Sequence, residues 1–153
     1  MPKARPTFKY SAIVNGYRSG LEEVIGEQLK ALNVAARYEE ITIGYTPPVK
    51  SRRYTPDWVL PNGIIIEAKG RFVTADRQKH KAIKDEHPHL DIRFVFSRPK
   101  AKLSKKSNTT YADWCKKYGF KYSDCTVPPK WTSEPQNPLA INAIQRATVK
   151  GQF

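Results

Sequence analysis

Acid, cysteine and long apolar runs are what this sequence has little of, and each shortage excludes something. Two cysteines, Cys115 and Cys125, in 153 residues are too few for the disulfide framework of a small secreted domain. They read as reduced thiols of a cytosolic protein, with a single bridge between them as the other reading. No apolar stretch approaches the roughly 18 residues of a membrane span. The opening Met1-Pro2-Lys3-Ala4-Arg5-Pro6 has no apolar signal region, so secretion is not expected and a cytoplasmic location is. Fourteen Asp and Glu face 27 Lys and Arg, a formal net charge of +13. A balance that far from zero concerns partners rather than fold. A polyanion is the first candidate, and a merely solubilising surface is the plain alternative. The length suits one domain with a real core, not two.

The positive charge is clustered. Lys3, Arg5, Lys9 and Arg18 lie in a stretch without an acid, and Lys50, Arg52 and Arg53 come later. Arg98, Lys100, Lys102, Lys105 and Lys106 crowd another acid-free stretch. These are the candidate phosphate contacts, and together they imply binding that weakens steeply with salt. No helix reads as a base-reading element, so selectivity is expected from nucleic-acid shape rather than base edges.

Residues 1–16 are basic and aperiodic and are expected to form a flexible arm. Ser19 and Glu22 have capping-box spacing, and Leu21, Val24, Ile25, Leu29 and Leu32 recur at helical intervals, predicting a helix from Gly20 to Leu32. A strand is expected over Arg37–Ile43. The segment 44–53, with Pro47 and Pro48, is expected to be an extended connector or edge element. A hairpin follows, with Trp58–Leu60 entering and Ile64–Lys69 leaving across Pro61-Asn62-Gly63. A helix over Thr74–Glu86, a strand over Asp91–Ser97, a basic loop, a helix from Thr110 to Gly119 and a short strand over Phe120–Tyr122 complete the pattern. Residues 17–131 make the main domain and 132–153 a tail. In the tail, Leu139–Val149 is weakly helical with no packing partner named. The alternation of elements predicts an α/β fold with a mixed central sheet flanked by helices.

The hairpin carries the chemistry. Side chains alternate along a strand, so Ile65, Glu67 and Lys69 share one face while Ile64, Ile66 and Ala68 share the other. The second face is expected to meet the core. The first then presents an acid and an amine, with Asp57 returned toward them by the turn. Oxygen donors of this kind suit Mg²⁺ or Mn²⁺, and an adjacent lysine suits hydrolysis of phosphate esters. Taken singly, Glu67 and Lys69 also read as an exposed ion pair and Asp57 as a turn acid. His80, His87 and His89 read as capping or surface residues rather than ligands. Trp58, Trp114 and Trp131 read as core or interface aromatics.

Pro56, Asp57, Glu67 and Lys69 match the signature of the PD-(D/E)xK nuclease superfamily. The surrounding words are more specific. Tyr17-Arg18-Ser19-Gly20-Leu21-Glu22, Tyr54-Thr55-Pro56-Asp57, Leu60-Pro61-Asn62-Gly63-Ile64 and Glu67-Ala68-Lys69-Gly70 resemble, in order and spacing, stretches of the bacteriophage endonuclease I family. So do Lys79-His80, Glu86-His87-Pro88, Leu90-Asp91-Ile92-Arg93 and Val95-Phe96-Ser97. The resemblance covers about residues 16–131. That family comprises Holliday-junction resolvases of short-tailed phages. The resemblance implies a restriction-endonuclease-like fold in an intertwined, domain-swapped homodimer, with residues 44–53 as the bridge. It implies a phage-encoded, metal-dependent endodeoxyribonuclease that nicks opposed strands of four-way junctions and other branched DNA, leaving 5′-phosphates.

The implied catalytic set is Glu22, Asp57, Glu67 and Lys69. Two Mg²⁺ or Mn²⁺ ions per site are implied, held by Glu22, Asp57, Glu67 and the main-chain carbonyl of Ala68. Glu22 would come from one chain and the other three residues from its partner. The family's threonine at position 68 is alanine here, a harmless change if only the carbonyl is used. Glu22 keeps two readings, helix-capping acid or metal ligand. The rivals from other classes are an architectural protein that binds branched DNA without cutting it and a sequence-specific restriction-type nuclease.

Overall fold

The computed structural model describes residues 16–46 and 51–149. Of the candidate DNA contacts, Lys3, Arg5, Lys9 and Lys50 lie outside the described residues, as do the arm to residue 15 and the middle of the expected bridge.

Helix α1 (Gly20–Ala31) starts where Ser19, in extended backbone, accepts the Glu22 N–H at 3.1 Å. A cap of this type stabilises a helix by about 0.5–2 kcal/mol. Its apolar stripe of Leu21, Ile25 and Leu29 is buried. The single strand expected over 37–43 is instead two, β1 (Arg37–Tyr38) and β2 (Ile43–Tyr45), in different sheets. The break falls at Glu39, whose φ of 51° is left-handed and whose N–H donates to the Asp57 carbonyl at 3.1 Å. A non-glycine residue rarely holds that conformation and cannot continue a strand through it. The ends of the 44–53 segment take the edge-element form of the reading. Strand β2 pairs antiparallel with β3 (Arg52–Tyr54), setting Ile43 opposite Tyr54 and Tyr45 opposite Arg52.

The main sheet has five strands in the order β1, β4 (Trp58–Val59), β5 (Ile64–Lys69), β6 (Asp91–Phe96), β7 (Lys121–Asp124). The β1–β4 and β4–β5 pairs are antiparallel, whereas β5–β6 and β6–β7 are parallel. Parallel neighbours need crossovers. These are supplied by α2 (Thr74–Glu86) and α3 (Tyr111–Tyr118), the latter opened by a full Thr110–Asp113 capping box and closed by Gly119 at φ 75°. The mixed α/β sheet read from the sequence is present.

Apolar residues cover both faces of β5 and β6, as parallel central strands require. On one side Ile65, Phe94 and Phe96 meet Phe72, Ile83, Trp114 and Phe120. On the other, Ile64, Ile66 and Val95 meet Leu21, Ile25, Leu29 and Trp58. All three tryptophans are buried, as are Cys115 and Cys125. Among the described residues no helix is long and apolar enough to cross a membrane.

The turn between β4 and β5 does more than reverse the chain. Leu60 N donates to Ile64 O at 2.8 Å and Gly63 N to Leu60 O at 3.0 Å, with Gly63 left-handed at φ 93°. This is the three-residue loop closed by a glycine bulge. Buried Asn62 donates its amide to the carbonyls of Trp131 and Glu134 at 2.9 and 3.2 Å. It thereby clasps α4 (Pro129–Ser133) and the approach to α5 (Pro138–Ala147). Helix α5 buries Ala140 and Ile144, so the weak helical pattern of the tail does have a packing surface. A Cβ on Gly63 would come within 3.1 Å of Ala140. Asn62→Ala is expected to cost about 1–3 kcal/mol, because two carbonyls lose their donor. Urea unfolding measures it, and a change within about 0.5 kcal/mol, the range of an ordinary surface substitution, would show that the clasp contributes little.

Candidate active site: three buried carboxylates and a lysine

Each acid of the implied set arrives from a different element. Glu22 lies in the first turn of α1, Asp57 immediately precedes β4, and Glu67 and Lys69 lie in the second half of β5. The acids are 5%, 4% and 2% exposed. So the face of β5 carrying Glu67 is not open, as the alternation alone implied, but lies under the larger apolar cluster. Lys69 is half-buried at the strand end, with its ammonium 3.5 Å from Asp76 in the first turn of α2.

Short hydrogen-bonded links hold the acids. Asp57 Oδ2 accepts the Ala68 N–H at 2.9 Å, which ties the loop before β4 to β5. Glu67 Oε1 accepts the Tyr54 hydroxyl at 2.5 Å and the Asp57 N–H at 3.4 Å. Glu67 Oε2 faces His80 Nε2 at 4.0 Å, beyond hydrogen-bond reach. Glu22 Oε2 accepts the Tyr38 hydroxyl at 2.5 Å and the Arg18 N–H at 2.9 Å. Ser19 therefore caps α1, but the Glu22 carboxylate turns to Arg18 and Tyr38 rather than completing a capping box. The Glu22 carboxylate thus takes one backbone donor beside the N-cap and one phenol hydroxyl from β1.

Arg18, read from sequence as a phosphate contact, is turned toward this cluster. Its guanidinium lies 2.6 Å from Glu39, 3.3 Å from Asp57 and 4.0 Å from Glu22. Glu22 and Asp57 thus meet around one cation within a single chain. Among the described residues no three His, Cys, Asp or Glu side chains converge as a ready-made cation cage. Arg18 stands where positive charge is required.

The electrostatics state that requirement. Burial, more than the nearby Glu22, raises Asp57 to about 6, although the Ala68 N–H, Lys69 and Arg18 pull the other way. Burial and then Asp57 raise Glu67 to about 8 against Lys69, Tyr54 and Lys79. Asp57 still ionises at neutral pH, whereas Glu67 holds its proton until about pH 8.

Sequence reasoning missed four contributors. Glu39 holds Arg18, Asp76 holds Lys69, and Tyr38 and Tyr54 hold glutamates. His80, expected at a surface or cap, is fully buried under Glu67, and neither ring nitrogen has a hydrogen-bond partner among the described residues. The rings of Tyr54 and Phe94 meet it edge-on at 5.3 and 4.9 Å. His87 is the C-cap residue of α2, its backbone N–H donating to the Ile83 carbonyl, while its Nε2 lies 2.9 Å from the Gly44 carbonyl of β2. No sequence signal marked Glu39 or Asp76. For the tyrosines the only sign was their nearness to the motif words.

Arg52, Arg53, Arg98, Lys100, Lys102, Lys105 and Lys106 are exposed. The basic 98–110 loop is not formless: Leu103 N bonds Thr109 O, Tyr111 N bonds Ala101 O and Ala112 N bonds Pro99 O, at 2.9–3.0 Å. It holds its lysines on a fixed backbone. Exposed Arg71, two residues beyond Lys69, extends the same charge toward the acids.

A pH test follows from the raised carboxyls. Folded Glu67 keeps its proton to about pH 8, whereas the unfolded chain releases it near the ordinary glutamate value. Its contribution to stability is therefore full at low pH and is lost as pH rises toward 8. Buried His80 is held neutral well below its usual range, which acts in the opposite direction below about pH 6.5. In EDTA, melts between pH 6.5 and 8 should show falling stability that levels above about 8, and Glu67→Gln should flatten the slope. Parallel curves for the two proteins would refute a buried, proton-holding Glu67.

Comparison with known proteins adds an independent observation. The sequence model of the family described as Phage endonuclease I matches residues 4–151. The chain is 41% identical over 133 residues to Endonuclease I of Escherichia phage T7, covering 87% of this chain and 89% of that protein. It is 42% identical over 135 residues to Endodeoxyribonuclease 1 of Enterobacteria phage T3, covering 88% of each. Pro56, Asp57, Glu67 and Lys69 drawn together at one strand end, in a chain that matches these nucleases nearly end to end, place the protein in the phage endonuclease I family.

Proposed function

We propose that the protein is a structure-selective endodeoxyribonuclease that hydrolyses phosphodiester bonds in four-way and other branched DNA with the aid of divalent cations. One observation carries the reading. Three buried carboxylates from α1, the loop before β4 and β5 line a site with a lysine at its rim, Glu22 and Asp57 joined through Arg18 and Glu67 joined to Asp57 through its N–H. The donor set fits hard cations: Asp57, Glu67, Glu22 and the Ala68 carbonyl offer only oxygen, the choice of Mg²⁺ or Mn²⁺. The Arg18 guanidinium between Asp57 and Glu22 supports the reading, because it is a cation that these acids already accommodate. Bound there, such cations would supply a Lewis acid for phosphoryl oxygen and make a water they hold more acidic.

The chain's own residues do the rest. Lys69 stands at the rim of the acids, where its ammonium would leave Asp76 to meet a non-bridging phosphate oxygen and stabilise the charge that grows on phosphorus. Arg18 reaches the same rim from α1 and would turn from Asp57 to the phosphate once the acids are otherwise neutralised. The rigid 98–110 loop, Arg52, Arg53 and Arg71 would follow the DNA backbone.

The dimer belongs to this proposal. Strands β2 and β3 pair about a centre in the middle of the 46–51 connection, the sole covalent route between α1–β2 and the rest of the sheet. A chain running straight through that segment would meet the same strand partners in a second copy. The second copy would then provide Glu22. Two sites related by a two-fold axis suit paired nicks in opposed strands.

A synthetic four-way junction and a matched linear duplex, each with Mg²⁺ or with EDTA, test the reading. Paired cuts in the junction with Mg²⁺ alone are expected. Binding without cutting would favour an architectural protein, and a cut at one duplex sequence would favour a restriction-type nuclease. Lys69→Ala should lower the cleavage rate at least about 100-fold while junction binding in EDTA is kept. Joint loss of both activities would remove Lys69 from the chemistry. Replacing Lys102, Lys105 and Lys106 together by alanine should make the dependence of log K on log salt shallower, by up to about 0.9 for each phosphate no longer neutralised. An unchanged slope would take the loop off the DNA.

A further inference from the structure

The glutamates at the two ends of the acidic cluster are held in the same way by residues that no catalytic motif contains. Tyr38 of β1 donates its hydroxyl to Glu22, and Tyr54 of β3 donates its hydroxyl to Glu67, each at 2.5 Å. The central acid is fixed by backbone instead, through the Ala68 N–H. Neither tyrosine lies on the element of the acid it holds. Each therefore ties two parts of the fold together at the site.

Both rings are themselves held by packing. Tyr38 lies 4.5 Å from the Trp58 ring and 4.9 Å, edge-on, from Tyr17. Tyr54 is 2% exposed and meets His80 edge-on at 5.3 Å, with the Lys79 ammonium 5.6 Å from its ring centre. A caged ring places its hydroxyl where packing dictates, and a carboxylate bonded to that hydroxyl loses its rotation. Groups that hold the ligands of a metal in this way commonly alter cation affinity nearly as much as the ligands do.

We propose that Tyr38 and Tyr54 are positioning residues of the hydrolytic site, each fixing one glutamate carboxylate in the orientation in which it takes a divalent cation. The proposal rests on the cation-dependent reading above and adds to it a requirement for two phenolic hydroxyls. Tyr54 serves the acid of β5, which the strand delivers rigidly. Tyr38 serves the acid of α1, which is joined to the rest of the site only by side-chain contacts and is the one exchanged in the proposed dimer. Without Tyr38 the Arg18 N–H alone would hold Glu22 on that side.

Removing a hydroxyl while keeping its ring separates positioning from packing. Tyr38→Phe, Tyr54→Phe and the unsubstituted protein are titrated with Mn²⁺ by calorimetry without DNA, and thermal melts report folding. Cation affinity should fall about 10–100-fold in each variant. Cleavage of a four-way junction should need correspondingly more Mn²⁺ for half-maximal rate, recovering at high Mn²⁺, with junction affinity in EDTA unchanged. Because Tyr38 is only partly buried, its variant stays informative even if Tyr54→Phe melts early. Variant titrations that superimpose on that of the unsubstituted protein would overturn the positioning role and leave the nuclease reading standing. An unsubstituted protein that takes up no Mn²⁺ would overturn the cation-dependent reading itself, and this proposal with it.

Discussion

The constraint on which the site depends is that β5 carries an acid into a layer closed to bulk solvent. Ile65 and Ile66 are completely buried, and Glu67, the next residue, is 2% exposed. A carboxylate there is costly unless it is hydrogen-bonded and its charge is answered. The architecture around it meets those needs one by one. Tyr54 and the Asp57 N–H supply donors, Lys69 supplies charge two residues along the strand, and Asp57 places a second acid alongside. The second acid makes the first harder to ionise. A fold selected for stability alone would not put them together, whereas a site that must draw positive charge inward would.

Arg18 shows how the chain lives with that arrangement. Its guanidinium is largely solvent-facing, at 67% exposure, yet is held by Glu39, Asp57 and Glu22. Burial works against its charge, but the three acids more than offset this, so its proton affinity is raised. Glu39 can reach it because the backbone is left-handed there. The same strained residue ends β1, diverts the chain into the second sheet and donates its N–H to the Asp57 carbonyl. A local departure from strand geometry thus serves the electrostatics of the site, which is where strain is usually found.

Much of this was legible in sequence, for reasons that can be named. Helix α1 and strands β5 and β6 announced themselves by periodicity, and α3 by the Thr110–Asp113 capping pair. Asp57, Glu67 and Lys69 were legible because a hairpin with a Pro-Asn-Gly turn fixes which residues can meet. What could not be read depends on contacts distant in sequence. Alternation along β5 said that Glu67 and Lys69 share a face, but not that α2 covers it. His80 reads as a polar helix residue until Tyr54, Phe94 and Glu67 close around it. The split of 37–43 turns on the φ of Glu39, which nothing in a glutamate-rich stretch announces. Helix α5 lacked a partner on paper because its partners are the turn at Gly63 and the main core, some 80 positions away (about half the chain, where local pattern carries no information).

The contrast between the two tyrosines bears on how such a site stays intact if chains exchange. Glu67, Asp57 and Lys69 are carried by adjacent strands and keep their geometry whatever the 46–51 connection does. Glu22 is different, since α1 is joined to the rest of the sheet only by packing and by β1 and β2. Yet Tyr38, its hydroxyl donor, lies on β1, and α1 and β1 precede the connection together. An exchange at that connection would move Glu22, Tyr38, Arg18 and Glu39 as one unit. The Tyr38 hydrogen bond and the Arg18 contacts that orient Glu22 would travel with it. The contacts to Asp57, the β1–β4 and β2–β3 pairings, the Gln28–Val127 hydrogen bonds and the packing of α1 on Ile64, Ile66 and Val95 would be remade against the other chain. The chain before the connection thus carries Glu22 together with its own positioning groups, and the chain after it carries Asp57, Glu67 and the lysine.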